Sequence, residues 1–236
     1  MSVSNTHWDS LYKIAWISAI LLLLYSLVTM VLLVSVGGMP ETAQKGFDLL
    51  AENRLVGLLR LDVLTILLVP LYYPLLLGLY GALLGVDGAK SLLSLVLGLA
   101  GVTLVLATPS AFSFLTLSDK FAAATDVAQR TLLLAAGEAM LASDLWHGSG
   151  ALMGGLLLQT ATLILSVVML RSADFGKVTA WVGVVMHGLD LLHIVAGFFA
   201  PAAGVALMIV AGPLYLVWFP LLARDFFRRA KGQVTQ

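Results

Sequence analysis

The residues best suited to chemistry lie in one stretch of the chain, residues 144–199. This stretch contains three of the four histidines, His147, His187 and His193, and it contains Asp190, a carboxylate deep inside an apolar run. On a helix, Asp190 lies three residues from His187 and three from His193, so each imidazole neighbours the carboxylate on one helix face. Such a group can bind a proton, an ion or a small ligand.

Three interpretations of Asp190 compete. A carboxylate at the centre of a bilayer costs about 2.5–3.5 kcal/mol, so it should face the protein interior and be paired. In the favoured interpretation it accepts hydrogen bonds from His187, His193 or both, and so holds helices together. In the second, the three residues line a polar cavity for a proton, ion or small ligand. In the third they are catalytic or bind a metal.

The spacing of the histidines gives a metal site little support. Two metal ligands on one helix are normally three or four residues apart, whereas His187 and His193 are six apart. His147 is predicted to lie near the opposite boundary of the membrane from the turn at 171–177, well away from His193. We therefore predict no metal ligand and no cofactor.

A second set of ionisable residues is predicted at the outer end of the bundle, where it could line a vestibule. A solvated rim that caps helices is the simpler interpretation, since charged residues are typical of span ends. The candidates are Asp62, Glu138, Asp144 and His147.

The composition requires lipid as the solvent for much of the surface. The 236 residues are 60% hydrophobic and 11% charged, with a mean hydropathy of +1.01, and a chain of this kind cannot form a polar shell. The absence of cysteine excludes disulfides, thiolate metal sites and cysteine nucleophiles. A net charge of zero argues against a nucleic-acid partner.

Six apolar runs approach the length of about 20 residues that spans a bilayer. We predict an all-α polytopic membrane bundle that forms one integral membrane domain over residues 1–236. Pro70 and Pro74 predict a kink in the second span. Two outer segments, 41–62 and 127–143, are amphipathic and too polar to span, so they are predicted to lie in the membrane interface. The predicted spans are 14–36, 63–84, 91–108, 146–170, 178–199 and 205–222.

The distribution of basic residues predicts that both termini are cytoplasmic. An even number of spans places both termini on the same side of the membrane, and the connections on that side are short and rich in Lys and Arg. The bilayer is the expected partner, and glycine-rich helix faces also suit other membrane subunits or a second copy of the chain. The basic residues on the terminus side are Lys13, Lys90, Arg171, Lys177, Arg224, Arg228, Arg229 and Lys231.

Several segments resemble a bacterial family of six-helix membrane proteins, the domain-of-unknown-function family 4386. They are ENRLVGLLRLD at 52–62, LSDKFAAATDVAQRTLLLAAGEAMLA at 117–142 and VVMLRSADFGKVTAWVGVV at 167–185, with the aromatic and Ala-Arg run at 218–224. The resemblance implies an all-helical integral membrane protein of prokaryotic type and implies no activity. Together with the charge distribution, we predict a multi-pass protein of the bacterial cytoplasmic (inner) membrane.

The function expected from these observations is non-enzymatic. The chain is predicted to be a membrane scaffold or accessory subunit, or a binder of a lipid-like or small apolar ligand. One alternative is a small proton-coupled transporter that uses Asp190 with His187 and His193. A second alternative is an intramembrane metal-dependent hydrolase.

Overall fold

The chain forms a bundle of apolar helices. The computed structural model describes residues 6–108, 111–143 and 148–232. It is 85% helical and has no strand in these ranges, and six of its helical segments are long and apolar enough to cross a membrane. The predicted all-α polytopic membrane bundle is therefore confirmed.

Eleven α-helices follow one another along the described ranges. The second spanning segment consists of α4 and α5, which are joined by a 3₁₀ turn at Val69–Leu71. The helices are α1 (Thr6–Ser35), α2 (Ala43–Glu52), α3 (Arg54–Arg60), α4 (Val63–Leu68), α5 (Tyr72–Leu83), α6 (Gly88–Leu106), α7 (Ala111–Ala123), α8 (Val127–Leu141), α9 (Ser149–Met169), α10 (Lys177–Phe199) and α11 (Pro201–Ala230).

Only one of the two prolines in the second span interrupts its helix. Pro70 lies in the 3₁₀ turn between α4 and α5, because a proline offers no N–H to the α-helical ladder. Pro74 lies in the first turn of α5, where a missing N–H costs little because those groups have no partner within the helix. The predicted kink therefore belongs to Pro70. Pro109, the residue that follows the predicted third span at 91–108, lies outside the described residues.

α6 and α9 pack closely against each other through glycines. A Cβ on Gly101 would lie 2.7 Å from the Gly154 carbonyl oxygen, and a Cβ on Gly154 would lie 2.8 Å from the Gly101 carbonyl oxygen. The two backbones therefore touch, as the glycine-rich sequence near residue 150 predicts. Around this contact the interior is filled by large side chains such as Leu76, Leu165 and Met186.

The two segments that were predicted to be amphipathic form helices and pack together, away from the chain termini. α2 and α3 follow the end of α1, and α7 and α8 follow the third span. Their small core centres on Phe47, whose ring lies 4.9 Å from Phe114 and 5.1 Å from Phe121. Arg54 and Asp119 add an exposed ion pair, with Nη2 and Oδ2 2.9 Å apart.

Charged and polar groups tie together the loops at the terminus side. Asp87 caps α6 by accepting a hydrogen bond from the Lys90 backbone N–H, and it binds the Lys90 ammonium at 2.7 Å. The hydrogen bonds from Lys90 hold the pKa of Asp87 below its usual range. Asp225 of α11 accepts hydrogen bonds from the Gly176 N–H at 3.0 Å and the Thr179 hydroxyl at 2.6 Å. These contacts fix the loop between α9 and α10 against α11.

Candidate functional site

Asp190 ends a chain of hydrogen bonds that joins three helices. Its Oδ2 accepts a hydrogen bond from the Tyr215 hydroxyl of α11. The Tyr215 oxygen in turn accepts from Gln159 Nε2 of α9 at 3.0 Å. His187 Nδ1 of α10 donates to Gln159 Oε1 at 2.6 Å. Each donor thus points toward the Asp190 carboxyl group, so His187, Gln159, Tyr215 and Asp190 form one connected hydrogen-bond network.

The expectation that Asp190 accepts hydrogen bonds from the neighbouring imidazoles is wrong. His187 Nδ1 bonds to Gln159, and His193 Nδ1 donates to the Gly204 carbonyl oxygen of α11 at 2.9 Å. His193 still interacts electrostatically with Asp190. The reason for the error is geometric, because adjacent side chains on one helix can each reach a partner on the facing helix instead of each other.

The surroundings of this network are apolar and tightly packed. Asp190 is 9% exposed and His187 is 1% exposed. The His187 ring meets the Trp218 indole edge-to-face at 4.8 Å. Within the described ranges, His187 Nε2 and Trp218 Nε1 have no hydrogen-bond partner. The burial of Asp190 and its hydrogen bond from Tyr215 favour the interpretation that this carboxylate helps to hold α9, α10 and α11 together.

Across residues 6–108, 111–143 and 148–232, no group of three or more His, Asp or Glu side chains is placed to hold a metal ion.

Of the four residues predicted at the outer rim, the structure describes Asp62 and Glu138. Glu138 Oε1 accepts a hydrogen bond from the Ala43 backbone N–H at 2.7 Å, so it ties α8 to the first turn of α2. Asp62 is 8% exposed, adopts a left-handed backbone with φ 59° and interacts electrostatically with Tyr25 of α1. Asp144 and His147 lie outside the described residues. Glu138 therefore has the capping role that the simpler interpretation gives it.

A cavity that the sequence did not predict lies at the terminus side of the bundle. Its volume is about 490 Å³. Its walls come from the first turns of α1, the end of α5 and the turn that follows it, the loop between α9 and α10, and the last turn of α11. Its lining includes Trp8, Tyr12, Gly85, Ser172, Asp174 and Arg229.

The cavity combines aromatic and aliphatic walls with one pair of opposite charges. Arg229 and Asp174 form an ion pair, and each side chain is 22% exposed. The guanidinium carbon of Arg229 lies 4.8 Å from the centroid of the Tyr12 ring, a cation–π geometry. Ser172 Oγ accepts a hydrogen bond from the Asp174 N–H at 3.0 Å, which fixes the loop that carries the carboxylate.

Glycines allow the first helix to close this cavity. A Cβ on Gly78 would lie 2.5 Å from the Ala15 methyl group, and one on Gly81 would lie 2.5 Å from the Trp8 ring. α1 therefore lies directly on α5, and Trp8 is held at the cavity wall. Gly85, by contrast, has open space around its Cα.

Comparison with known proteins adds no relative. No family model, curated protein or solved structure matches this chain. The resemblance to family 4386 therefore stays a prediction, and no relative indicates a function for this chain.

Proposed function

We propose that this protein is a non-enzymatic membrane protein that binds a lipid-like amphiphile in the cavity at its terminus side. The cavity is the observation that carries the proposal. Its volume of about 490 Å³ falls in the range of about 300–1,000 Å³ that is typical of ligand sites. Its mostly apolar lining with a few polar groups is also typical of such sites.

The position of the cavity supports a ligand that enters from the bilayer. Its walls are helix ends, so it lies at the depth where lipid head groups meet acyl chains. Trp8 and Tyr12 are aromatic residues of the kind that prefers this depth. The adjacent outer face of α1 is apolar and exposed, with Ile14 49% and Ile17 47% exposed. An acyl chain can therefore lie along α1 while its polar end enters the cavity.

The excess of Lys and Arg on the same side supports a cytoplasmic orientation. We propose that both termini face the cytoplasm of a bacterial cell and that the cavity opens to the inner leaflet of the cytoplasmic membrane. Arg224 and Arg228 are exposed near the end of α11 and suit anionic head groups.

Filling the cavity should remove lipid binding without disturbing the bundle. Gly85→Trp places an indole where no atom lies within 4 Å of the added Cβ, and its backbone does not have a left-handed φ. Saturable binding of a fluorescent phospholipid to the purified protein in detergent is expected to weaken at least about tenfold. The competition constant against unlabelled lipid is the measurement.

Gly212→Trp is the matched control for this substitution. Gly212 also has no atom within 4 Å of an added Cβ, and it lies in the middle of α11, away from the cavity lining. Its variant is expected to bind the lipid as the unaltered protein does. Equal binding by the Gly85 and Gly212 variants would contradict the proposal, as would the lack of saturable binding by the unaltered protein.

A second candidate function is proton-coupled transport, and the buried carboxylate of Asp190 favours it. The hydrogen-bonded chain from His187 to Asp190 links three helices whose relative movement a proton could control. Asp190→Asn keeps an oxygen that can accept from Tyr215 but removes the charge. If Asp190 carries a proton, this variant should fold and lose proton-linked uptake in liposomes, and uptake that survives would exclude the role.

A further inference from the structure

We infer that the ligand of the cavity carries a zwitterionic head group, with an anionic oxygen for Arg229 and a cationic ammonium for Asp174. This inference rests on the proposed binding of a lipid-like amphiphile. The charged side chains that line the cavity are Arg229 and Asp174, one of each sign, so the lining is neutral. A site with both charges prefers a ligand that offers both, because each charge then finds its complement.

Arg229 supplies the contact for the anionic oxygen. A guanidinium carries five N–H donors in a planar fork that suits phosphate oxygens. Nη1 faces Asp174, and the Arg229 side chain is 22% exposed where it lines the cavity. A phosphate oxygen in the cavity can therefore accept from guanidinium N–H groups that Asp174 does not occupy, and such a charge-assisted hydrogen bond is stronger than one between neutral groups.

Asp174 and Trp8 supply the contacts for the cation. The Asp174 side chain is 22% exposed at the cavity, so its carboxylate can accept further hydrogen bonds from an ammonium. The Tyr12 ring already lies under the Arg229 guanidinium, which leaves the Trp8 ring as the aromatic surface for a ligand cation. A primary ammonium suits this set because it donates hydrogen bonds to Asp174 as well as contacting the ring.

The chemistry of the two charges therefore points to an ethanolamine phospholipid. A purely anionic head group would meet the Asp174 carboxylate, and like charges placed together disfavour binding. A neutral head group such as that of diacylglycerol offers no complementary charge to either Arg229 or Asp174. A choline head group keeps both charges but cannot donate a hydrogen bond to Asp174.

A panel of head groups on identical acyl chains tests the inference on the full-length protein. Competition against a fluorescent phospholipid would use phosphatidylethanolamine, phosphatidylcholine, phosphatidylglycerol and diacylglycerol. Phosphatidylethanolamine is expected to bind at least about tenfold more tightly than phosphatidylglycerol or diacylglycerol. If all four lipids bind equally, the inference is wrong while the proposed function stands; if none binds saturably, the proposed function fails as well.

Two charge variants with a matched control sharpen the test. Asp174→Asn leaves Arg229 as the remaining charge at the cavity, so the preference should shift toward phosphatidylglycerol. Arg229→Gln should weaken phosphatidylethanolamine binding about tenfold or more, whereas Arg130→Gln, at an exposed residue of α8 outside the cavity lining, should leave it unchanged. Should Arg229→Gln fail to fold, the shift in Asp174→Asn still decides, and an unchanged preference in that variant would overturn the inference.

Discussion

Replacing Gly101 by leucine is expected to destabilise the bundle by about 3 kcal/mol or more. A Cβ at this position would lie 2.7 Å from both the Gly154 carbonyl oxygen and the Leu158 nitrogen, and these are backbone atoms of α9. Backbone atoms inside a packed helix cannot turn aside as the end of a side chain can. The two helices would have to separate, and the contacts around them would be lost.

The thermal midpoint of the purified protein measures this effect, with an expected decrease of roughly 6–12 °C. Gly197→Leu is the matched control, because a helical glycine in α10 with no atom within 4 Å of its added Cβ can accept the side chain. If Gly101→Leu and Gly197→Leu have the same midpoint, α6 and α9 do not approach as closely as described.

Removal of the Tyr215 hydroxyl is expected to have the second large effect. Tyr215→Phe takes the donor from Asp190 and the acceptor from Gln159 Nε2. A buried group that loses its partner costs about 1–3 kcal/mol, and more when it is charged. We expect a loss of about 3 kcal/mol in the free energy of unfolding, measured by chemical denaturation in detergent. Tyr80→Phe, at a half-buried tyrosine of α5, should cost much less.

A double-mutant cycle with Asp190→Asn separates this interaction from general packing. Asparagine keeps an acceptor but lacks the charge, so Tyr215→Phe should cost about 1–2 kcal/mol less in its presence. Additive effects of the two substitutions would show that Tyr215 and Asp190 are not coupled and would contradict the view that this pair holds α10 to α11.

The spanning helices could be predicted from the sequence because each depends on local properties. A run of about 20 apolar residues in a chain without a polar shell leaves few alternatives to a membrane helix. α10, at Lys177–Phe199, lies within a residue of its predicted bounds. α11 continues to Ala230, eight residues beyond the predicted end. The charged residues near the end of the last span indicated where contact with lipid should end. They did not indicate where the helix ends, because a helix can continue from lipid into water.

The partners of the buried polar residues could not be predicted in the same way. The spacing of Asp190 and His187 along one helix predicted that they bond to each other. Their hydrogen bonds instead go to Tyr215 and Gln159 on other helices. Gln159 is a single amide in an apolar run, and the sequence does not reveal which helix faces it. Such pairs depend on the rotation of each helix and on helix packing, and neither is a local property.

The cavity could not be predicted from the sequence for the same reason. Taken singly, Trp8 and Tyr12 are explained by the preference of aromatic residues for the membrane interface, and Arg229 is explained as one of the basic residues on the terminus side. Each explanation holds for its residue alone. The cavity arises only when the ends of α1, α5 and α11 meet the loop that carries Asp174. The sequence did contain one usable signal. Asp174 is an acidic residue in a terminus-side loop that is otherwise basic, so a basic partner for it could have been expected.

The most direct test of the central claim is to locate the bound lipid. A phospholipid analogue with a photoactivatable diazirine near its head group would be reconstituted with the protein and irradiated, and the labelled peptides would be mapped by mass spectrometry. We predict labels at Trp8 to Tyr12, at Gly81 to Val86 and at Ser172 to Asp174, all abolished by excess unlabelled lipid. Labels confined to the outer faces of the helices, such as Val31 and Val34 of α1, and unaffected by competitor would contradict the claim.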